Sequence, residues 1–287
     1  MQGDRGRLVS RWWRDALRWI PVVLSCFAAG CVQIPGALQL AQNGALVDGC
    51  TSPPGPTAEG TGLDPAGFTL VSWNLHKGAR DGWRRDLERL RAEADLLLIQ
   101  ESHLTPKMLR WLSASGLEWT MAHAFSYKGY WTGVLTGARV PQQAPCMQRT
   151  AEPWLRLPKT TLISYFPLKG VRARLLVVNL HGINFSFGAS ALAAQLAALE
   201  PVIAAHHGPV ILAGDMNTWS LDRKRVLQAL ARRQGLRPVP FVEASRHLGR
   251  RVDHVYYRGL RLHRFRVERV TSSDHHPLIA TFGYSRS

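Results

Sequence analysis

Hydrophobic residues along this chain fall into short continuous runs, each ending or beginning at a polar cluster. Phe68-Thr69-Leu70-Val71-Ser72-Trp73 leads into Asn74, Leu96-Leu97-Leu98-Ile99-Gln100 into Glu101, and Leu175-Leu176-Val177-Val178-Asn179-Leu180 into His181. Val210-Ile211-Leu212-Ala213 leads into Gly214-Asp215-Met216-Asn217. Near the C-terminus the order reverses: Asp253 precedes Val255-Tyr256-Tyr257, and Ser273-Asp274-His275-His276-Pro277 precedes Leu278-Ile279-Ala280-Thr281-Phe282. Apolar runs of this length predict buried strands. Polar heads at the ends of such strands sit on a rigid frame at the surface, the usual construction of a hydrolytic site.

Helical spacing appears between the runs. Trp83, Leu87, Leu90 and Ala94 recur on one face, with Arg84, Arg85, Glu88 and Arg91 on the other. Thr105-Pro106 marks a helix start. The Ala-rich run Ala189 to Ala205 predicts a helix bent or split by Pro201. Ser220 to Gln234 predicts another, stopped by Gly235. Strands and helices alternating in this way predict an α/β domain, and roughly 220 residues are ample for one core.

The N-terminal part has a different pattern. Arg5, Arg7, Arg11, Arg14 and Arg18 precede a stretch from Trp19 to Val47 without a single charge. That pattern predicts a signal peptide or membrane anchor over residues 1–30 and a flexible tether over 31–66, ahead of a catalytic domain over 67–285. Ala28-Ala29-Gly30-Cys31 is similar to a bacterial lipoprotein processing site, with Cys31 as the lipidated residue. An uncleaved anchor is the alternative, and both place the domain in the cell envelope, outside the cytoplasm. A third reading is a cytoplasmic enzyme preceded by a misassigned start. With Cys31 lipidated and Cys26 removed, Cys50 and Cys146 remain as an even pair in an oxidising compartment, so a disulfide between the tether and the loop around Pro145 is expected.

The ordered polar set Trp73-Asn74, Gln100-Glu101, Asn179-Leu180-His181, Gly214-Asp215-Met216-Asn217, Val252-Asp253-His254 and Ser273-Asp274-His275-His276-Pro277 resembles the endonuclease/exonuclease/phosphatase superfamily. That superfamily includes pancreatic-type deoxyribonucleases, apurinic endonucleases, neutral sphingomyelinases and inositol polyphosphate phosphatases. The resemblance runs from about Gly67 to Tyr284. It looks nearest to small uncharacterised bacterial members that also carry Asn179-Leu180-His181-Gly182-Ile183-Asn184-Phe185-Ser186. It implies a four-layer α/β/β/α sandwich of two packed, mostly antiparallel sheets flanked by helices. It also implies hydrolysis of phosphate esters by an activated water, with Mg²⁺ (or Mn²⁺) as cofactor.

On this resemblance Glu101 is the principal metal ligand, with Asn74 and Asp274 as further metal-site residues. His275 is the acid–base residue, oriented by Asp253 or by Asp274. Asp215 and Asn217 position the attacking water or the phosphate, with Asp215 a candidate base. His181 contacts the non-bridging oxygens. The sequence leaves open which group takes the water proton and which protonates the leaving oxygen. His76, His103, His206, His207, His254 and His276 are assigned to packing and capping; for His206 and His207, a cation at a helix end suits the dipole. There is no Gly-x-Ser-x-Gly, His-Glu-x-x-His or Walker-type loop to support a rival chemistry.

Charge narrows the partner rather than the reaction. The formal net charge is +16; residues 1–30 hold five Arg against Asp4 and Asp15, so +13 stays with the remainder. Arginine supplies 30 of the 36 basic residues, the planar donor that suits phosphate. Arg246, Arg250 and Arg251 cluster ahead of Asp253, and Lys128, Tyr130 and Trp131 form a basic-aromatic loop. Expected partners are a phosphate-ester substrate, with nucleic acid favoured by the charge, and an anionic membrane surface. A monomer is expected.

Overall fold

A computed structural model describes residues 31–50, 60–241, 246–247 and 250–284. The strands are β1 (Val32–Gln33), β2 (Gln39–Gln42), β3 (Ala45–Asp48), β4 (Phe68–Asn74), β5 (Leu96–His103), β6 (Glu118–Tyr127), β7 (Tyr130–Ala138), β8 (Gln143–Ala151) and β9 (Pro158–Leu168). They continue with β10 (Val171–His181), β11 (Val210–Asp215), β12 (Arg237–Pro238), β13 (Arg246–His247), β14 (Arg250–Arg251), β15 (Asp253–Arg258), β16 (Arg261–Val267) and β17 (Leu278–Gly283). The helices are α1 (Trp83–Glu93), α2 (Pro106–Ser115), α3 (Ser190–Ala197), α4 (Glu200–Ala205) and α5 (Leu221–Arg233).

Two mixed sheets pack face to face. One runs β16-β17-β4-β5-β7-β6-β2-β3, with β1 also on β6; the other runs β12-β15-β11-β10-β9-β8. The pairs β4/β5 and β10/β11 are parallel, and the other pairs are antiparallel. Strand alternation divides each apolar run between two cores. Phe68, Leu70, Leu96 and Leu98 meet Leu175, Val177, Ile211 and Ala213 between the sheets. Val71, Trp73, Leu97 and Ile99 turn outward onto Leu87 and Leu90 of α1 and Met108 and Leu112 of α2. Leu176, Val178 and Leu212 turn outward onto Leu192 and Leu196 of α3, Ile203 of α4 and Leu227 of α5. Burial on both faces explains why these strands read as continuous apolar runs. The four-layer α/β/β/α sandwich is the architecture that the resemblance implied.

Helix ends follow local chemistry. The Thr105 side chain accepts from the Met108 amide, and Pro106 occupies the first turn of α2. Ser220 caps α5 in the same way through the Arg223 amide. The Ala-rich run divides into α3 and α4 at Ala198–Leu199, and Pro201 falls in the first turn of α4, which needs no donor there.

The expected tether over 31–66 requires correction. Residues 32–48 form β1, β2 and β3 at the edge of the larger sheet, with Leu40 and Ala41 paired to Ala122 and Met121. Asn43 and Gly44 turn the β2–β3 hairpin at φ 49° and 89°, the two-residue turn that Asn-Gly favours. The charge-free stretch to Val47 is therefore in part a sheet edge, and residues 32–47 are not an anchor. Residues 51–59 and the expected signal or anchor over 1–30 lie outside the described residues. Among the described residues no helix is long and apolar enough to cross a membrane. Cys50 and Cys146 form a disulfide, and Cys146 sits in β8 rather than in a loop. The bond thus staples the end of one sheet's edge hairpin to the edge strand of the other.

Candidate active site

The topology collects the predicted polar residues at one end of the sandwich. In the parallel pair β4/β5, Asn74 stands opposite Gln100; in β10/β11, His181 stands opposite Asp215. Asp253 opens β15 directly opposite Asp215. Beneath these residues Gln100 Nε2 donates to Asn179 Oδ1 at 2.8 Å, a buried bond between the two sheets. Gly214 leaves room for it: at φ 138°, a Cβ there would lie 2.0 Å from Leu180 O and 3.2 Å from Gln100 Nε2.

Asp215 is the hub. Its Oδ2 accepts from Asn74 Nδ2 at 3.0 Å, and its Oδ1 accepts from the Asn217 amide at 2.9 Å. His181 Nε2 lies 3.7 Å and His275 Nε2 3.9 Å from Asp215 Oδ2. Asn217, at φ 48°, donates its side-chain amide to Gly182 O at 2.9 Å, tying the β10 and β11 exits together.

His275 Nδ1 bonds Asp253 Oδ2 at 2.8 Å, so Asp253 and not Asp274 orients the imidazole. Burial alone would lower the His275 pKa. The Asp253 carboxylate overrides it through charge and hydrogen bond, with Asp215 and Asp274 assisting, and raises it to about 10. Asp274 Oδ1 instead faces His76 Nδ1 at 3.4 Å. Asp215, Asp253 and His275 form an Asp/Asp/His cluster whose ligand atoms all lie within 4.8 Å of one another.

Glu101 sits at a bulge in β5, where the register with β7 slips between Ile99 and Ser102, and takes φ 49°. The kink turns its carboxylate to Lys77, with which it is ion-paired, and to within 3.8 Å of His181 Nε2. Burial would raise the Glu101 pKa, yet the ammonium charges of Lys77 and Lys159, with the hydrogen bond from Lys77, hold it well below the usual carboxylate range. His181 behaves oppositely. Burial and the adjacent Lys159 ammonium outweigh Asp215 and Glu101 and push it down to about 3, so the ring is neutral. Lys159 Nζ donates to His181 Nε2 at 3.1 Å and lies 3.9 Å from buried Glu152.

All the predicted residues except Asp274 therefore join one connected set, and Asp274 flanks it through His76. Sequence reasoning missed Lys77, Lys159, Glu152 and Arg223. The Arg223 guanidinium is fully buried and donates to Asn217 O, Ile183 O, Gly188 O and Ser186 Oγ behind the site. Among the histidines set aside, His254 Nε2 donates to Thr218 Oγ1, away from Asp253, and burial lowers its pKa to about 3. His206 is corrected from a helix-end cation: burial lowers its pKa, and its Nε2 donates to Arg174 O at 2.9 Å.

The donor chemistry suits a hard divalent cation. Glu101 stays anionic, Asn74 adds an amide oxygen, and the carboxylates of Asp215 and Asp253 stand near. The Lys77 ammonium paired with Glu101 shows that this carboxylate accommodates a positive charge.

Comparison with known proteins agrees with this fold. The model of the Endonuclease/Exonuclease/phosphatase family matches residues 71–275. The chain is 38% identical over 240 residues to the UPF0294 protein of Klebsiella pneumoniae, covering 80% of this chain and 90% of that one. It is 40% identical over 215 residues to a UPF0294 protein of Yersinia pestis, covering 74% and 82%. Among solved structures, an endonuclease/exonuclease/phosphatase from Beutenbergia cavernae superposes with a TM-score of 0.60 at 17% identity, over 77% of this chain and 72% of that one. The human nocturnin catalytic domain with bound sulfate gives 0.59 at 17% identity, over 78% and 96%. ANGEL2, a 2',3'-cyclic phosphatase, gives 0.59 at 14% identity, over 77% and 96%.

Proposed function

From a chain that belongs to the endonuclease/exonuclease/phosphatase family, we propose a divalent-metal-dependent phosphodiesterase that cleaves nucleic-acid-type diesters by water attack. The observation that carries this reading is the Asp253–His275 pair aimed at Asp215 Oδ2, the same oxygen that accepts from Asn74. A protein that only binds phosphate needs no buried imidazolium held against two carboxylates.

The roles follow from the geometry. Glu101 and Asn74 would hold Mg²⁺ or Mn²⁺, with Asp274 at the rim. When bound, the ion supplies charge neutralisation on the phosphate and lowers the pKa of a bound water. Asp215 is fixed by two donors and accepts the proton of the attacking water. His275, an imidazolium through pH 7, hydrogen-bonds a non-bridging oxygen or gives its Nε2 proton to the departing oxygen. Neutral His181, backed by Lys159, contacts the phosphate oxygens; the positive charge there comes from Lys159. Asn217 holds Asp215 through its backbone amide.

A second reading has one observation in its favour. Trp154 and Phe187 are 45% and 64% exposed and stack edge to face at 4.0 Å. Both flank the His181 side: Glu152 accepts from the Asn184 and Phe185 amides, just before Phe187. An aromatic pair at that rim would suit the apolar part of a phospholipid headgroup ester. We place the catalytic domain in the cell envelope, because a disulfide between Cys50 and Cys146 persists in oxidising compartments.

The test is an activity screen of the full chain with Mg²⁺ and Mn²⁺. A truncation at residue 51 would delete Cys50 and three strands. Plasmid DNA, RNA, a sphingomyelin-type diester and a phosphomonoester are compared, with Glu101→Ala as control. Nicking of DNA or RNA that is lost in the control and in EDTA supports the proposal. Turnover of the lipid ester alone would replace it with the second reading, and undiminished turnover in EDTA would remove the metal.

A further inference from the structure

A basic surface outside the site lies between α1 and α2. There a groove of about 770 Å³ is lined by Arg84, Arg85, Glu88, Arg89, Arg110 and Trp111, with Ala92 and Ala114 completing it. Its one acid is already engaged. Glu88 pairs with Arg91 and accepts from the Trp111 indole at 3.0 Å. Arg89 is partly satisfied by Glu268 at 2.7 Å, and Arg85 lies 3.9 Å from Asp86 with 83% of its side chain exposed. Arg84 and Arg110 form no ion pair among the described residues and are exposed. Of the four guanidiniums that line the groove with Glu88, those of Arg84 and Arg110 thus carry no ion pair among the described residues, and those of Arg85 and Arg89 share Asp86 and Glu268.

The groove is coupled to the site by hydrogen bonds. Asp86, in the first turn of α1, accepts from Ser272 Oγ at 2.6 Å. Ser273 Oγ donates to Asn74 O at 2.8 Å, and Arg80 Nη1 donates to Ser273 O at 2.9 Å. The loop that carries Asp274 and His275 is thus clamped between the start of α1 and the end of β4. A polyanion held along α1 would be led toward that loop. An 11-residue helix is roughly 16 Å long, about five 3.4 Å steps of a nucleic-acid strand.

We infer that the α1–α2 groove is a second, non-catalytic binding site for the phosphodiester backbone of a nucleic-acid strand, feeding the catalytic end. This deepens, and rests on, the phosphodiesterase reading above. A strand fits better than a bilayer for two reasons. The surface is concave, and none of its lining residues is an exposed large hydrophobic side chain of the kind that enters a membrane interface. Planar guanidiniums beside small residues instead match phosphates spaced along a groove.

The test uses the full chain, Arg84→Ala/Arg110→Ala, and a control pair, Arg172→Ala/Arg232→Ala, at exposed positions outside the groove. Binding of a fluorescein-labelled 30-nucleotide single strand is measured by anisotropy in EDTA across a salt series, beside hydrolysis of bis(4-nitrophenyl) phosphate with Mg²⁺ or Mn²⁺. Two lost phosphate contacts should reduce the slope of log K against log salt by about 1.4 and weaken binding about 25-fold at 0.1 M salt. Small-diester turnover should stay unchanged in this variant, because neither arginine is placed in the site. An unaltered slope, or an equal change in the control pair, overturns the inference. So does a variant that keeps the strand but loses vesicles of 30% phosphatidylserine, which would make the groove a membrane contact. Wild-type protein that binds the strand, and loses the expected slope in Arg84→Ala/Arg110→Ala, but hydrolyses no diester would instead sink the phosphodiesterase reading and leave the groove standing.

Discussion

Replacing Arg223 with Met should cost about 3 kcal/mol of stability and most of the activity. The side chain is 0% exposed and supplies donors to three backbone carbonyls, those of Asn217, Ile183 and Gly188, and to Ser186 Oγ. Gly188 is exposed, so water can replace the donor there. Asn217 and Ile183 are buried, and each orphaned acceptor costs roughly 2 kcal/mol. The sum, about 4 kcal/mol, falls within the range for breaking a buried charged group from its partners. Part of it returns, because burying a guanidinium is itself costly: burial pushes the Arg223 pKa down to about 10 even against Glu152 and Asp215. Met fills similar volume without that cost, leaving a net loss near 3 kcal/mol. With a urea m-value of about 3 kcal/mol/M, the midpoint should fall by about 1 M. Activity should fall further than stability explains, since Arg223 ties the residues after His181 to Asn217. Arg223→Lys should recover only part of either, lacking the planar fork. A midpoint within 0.3 M of wild type would refute the reasoning, because the carbonyls would then have found partners without the guanidinium.

Three further outcomes are expected. Glu101→Ala should lower turnover by orders of magnitude with the urea midpoint nearly unchanged, since losing the ion pair is offset by no longer burying a carboxylate, while Lys77 becomes solvated; near-normal turnover would dismiss Glu101 from the site. His275 has a folded pKa raised above its unfolded value, so its stabilisation is fully present below about pH 6.5 and is lost as pH rises through about 10. Urea midpoints in EDTA should therefore decline between pH 7 and 10.5 in wild type and much less in Asp253→Asn; parallel profiles would contradict the pair. Cys50→Ser opens a loop of sequence separation 96, for which chain entropy gives a loss of about 4–5 kcal/mol. Detection of four reactive thiols in the denatured, unreduced full chain, rather than the two of Cys26 and Cys31, would show that the bond does not form.

Legibility in the sequence tracked burial. β4, β5, β10 and β11 are sandwiched between core layers, so their runs are uninterrupted and their ends sharp; most of the site sits at those ends. The same logic hid the charged supports. Lys77 and Lys159 look like ordinary solvated lysines, and only the β5 kink and the β10 exit bring them to Glu101 and His181. Glu152 and Arg223 are buried through contacts with loops far away in sequence, which no local pattern announces. The hairpin over residues 39–48 was misread for a different reason. The lack of charge pointed to an apolar leader, although Asn43-Gly44 between short apolar strands is the local signal of a two-residue turn.

The arrangement of the sheets explains why the site needs both halves of the sandwich. Each sheet contains one parallel pair, β4/β5 or β10/β11, and a parallel pair brings two carboxyl ends to the same edge. One pair delivers Asn74 and Glu101; the other delivers His181 and Asp215. Neither pair completes the constellation alone, and the contacts that join them, Asn74 to Asp215 and Gln100 to Asn179, cross from sheet to sheet. The spacing of these candidate site groups is therefore set by how closely the inner faces pack, through Leu70, Leu98, Val177 and Ala213. The Cys50–Cys146 bond joins the same two sheets at an edge, between the β2–β3 hairpin and β8. A covalent link there resists separation of the sheets, the motion that would pull the two halves of the site apart.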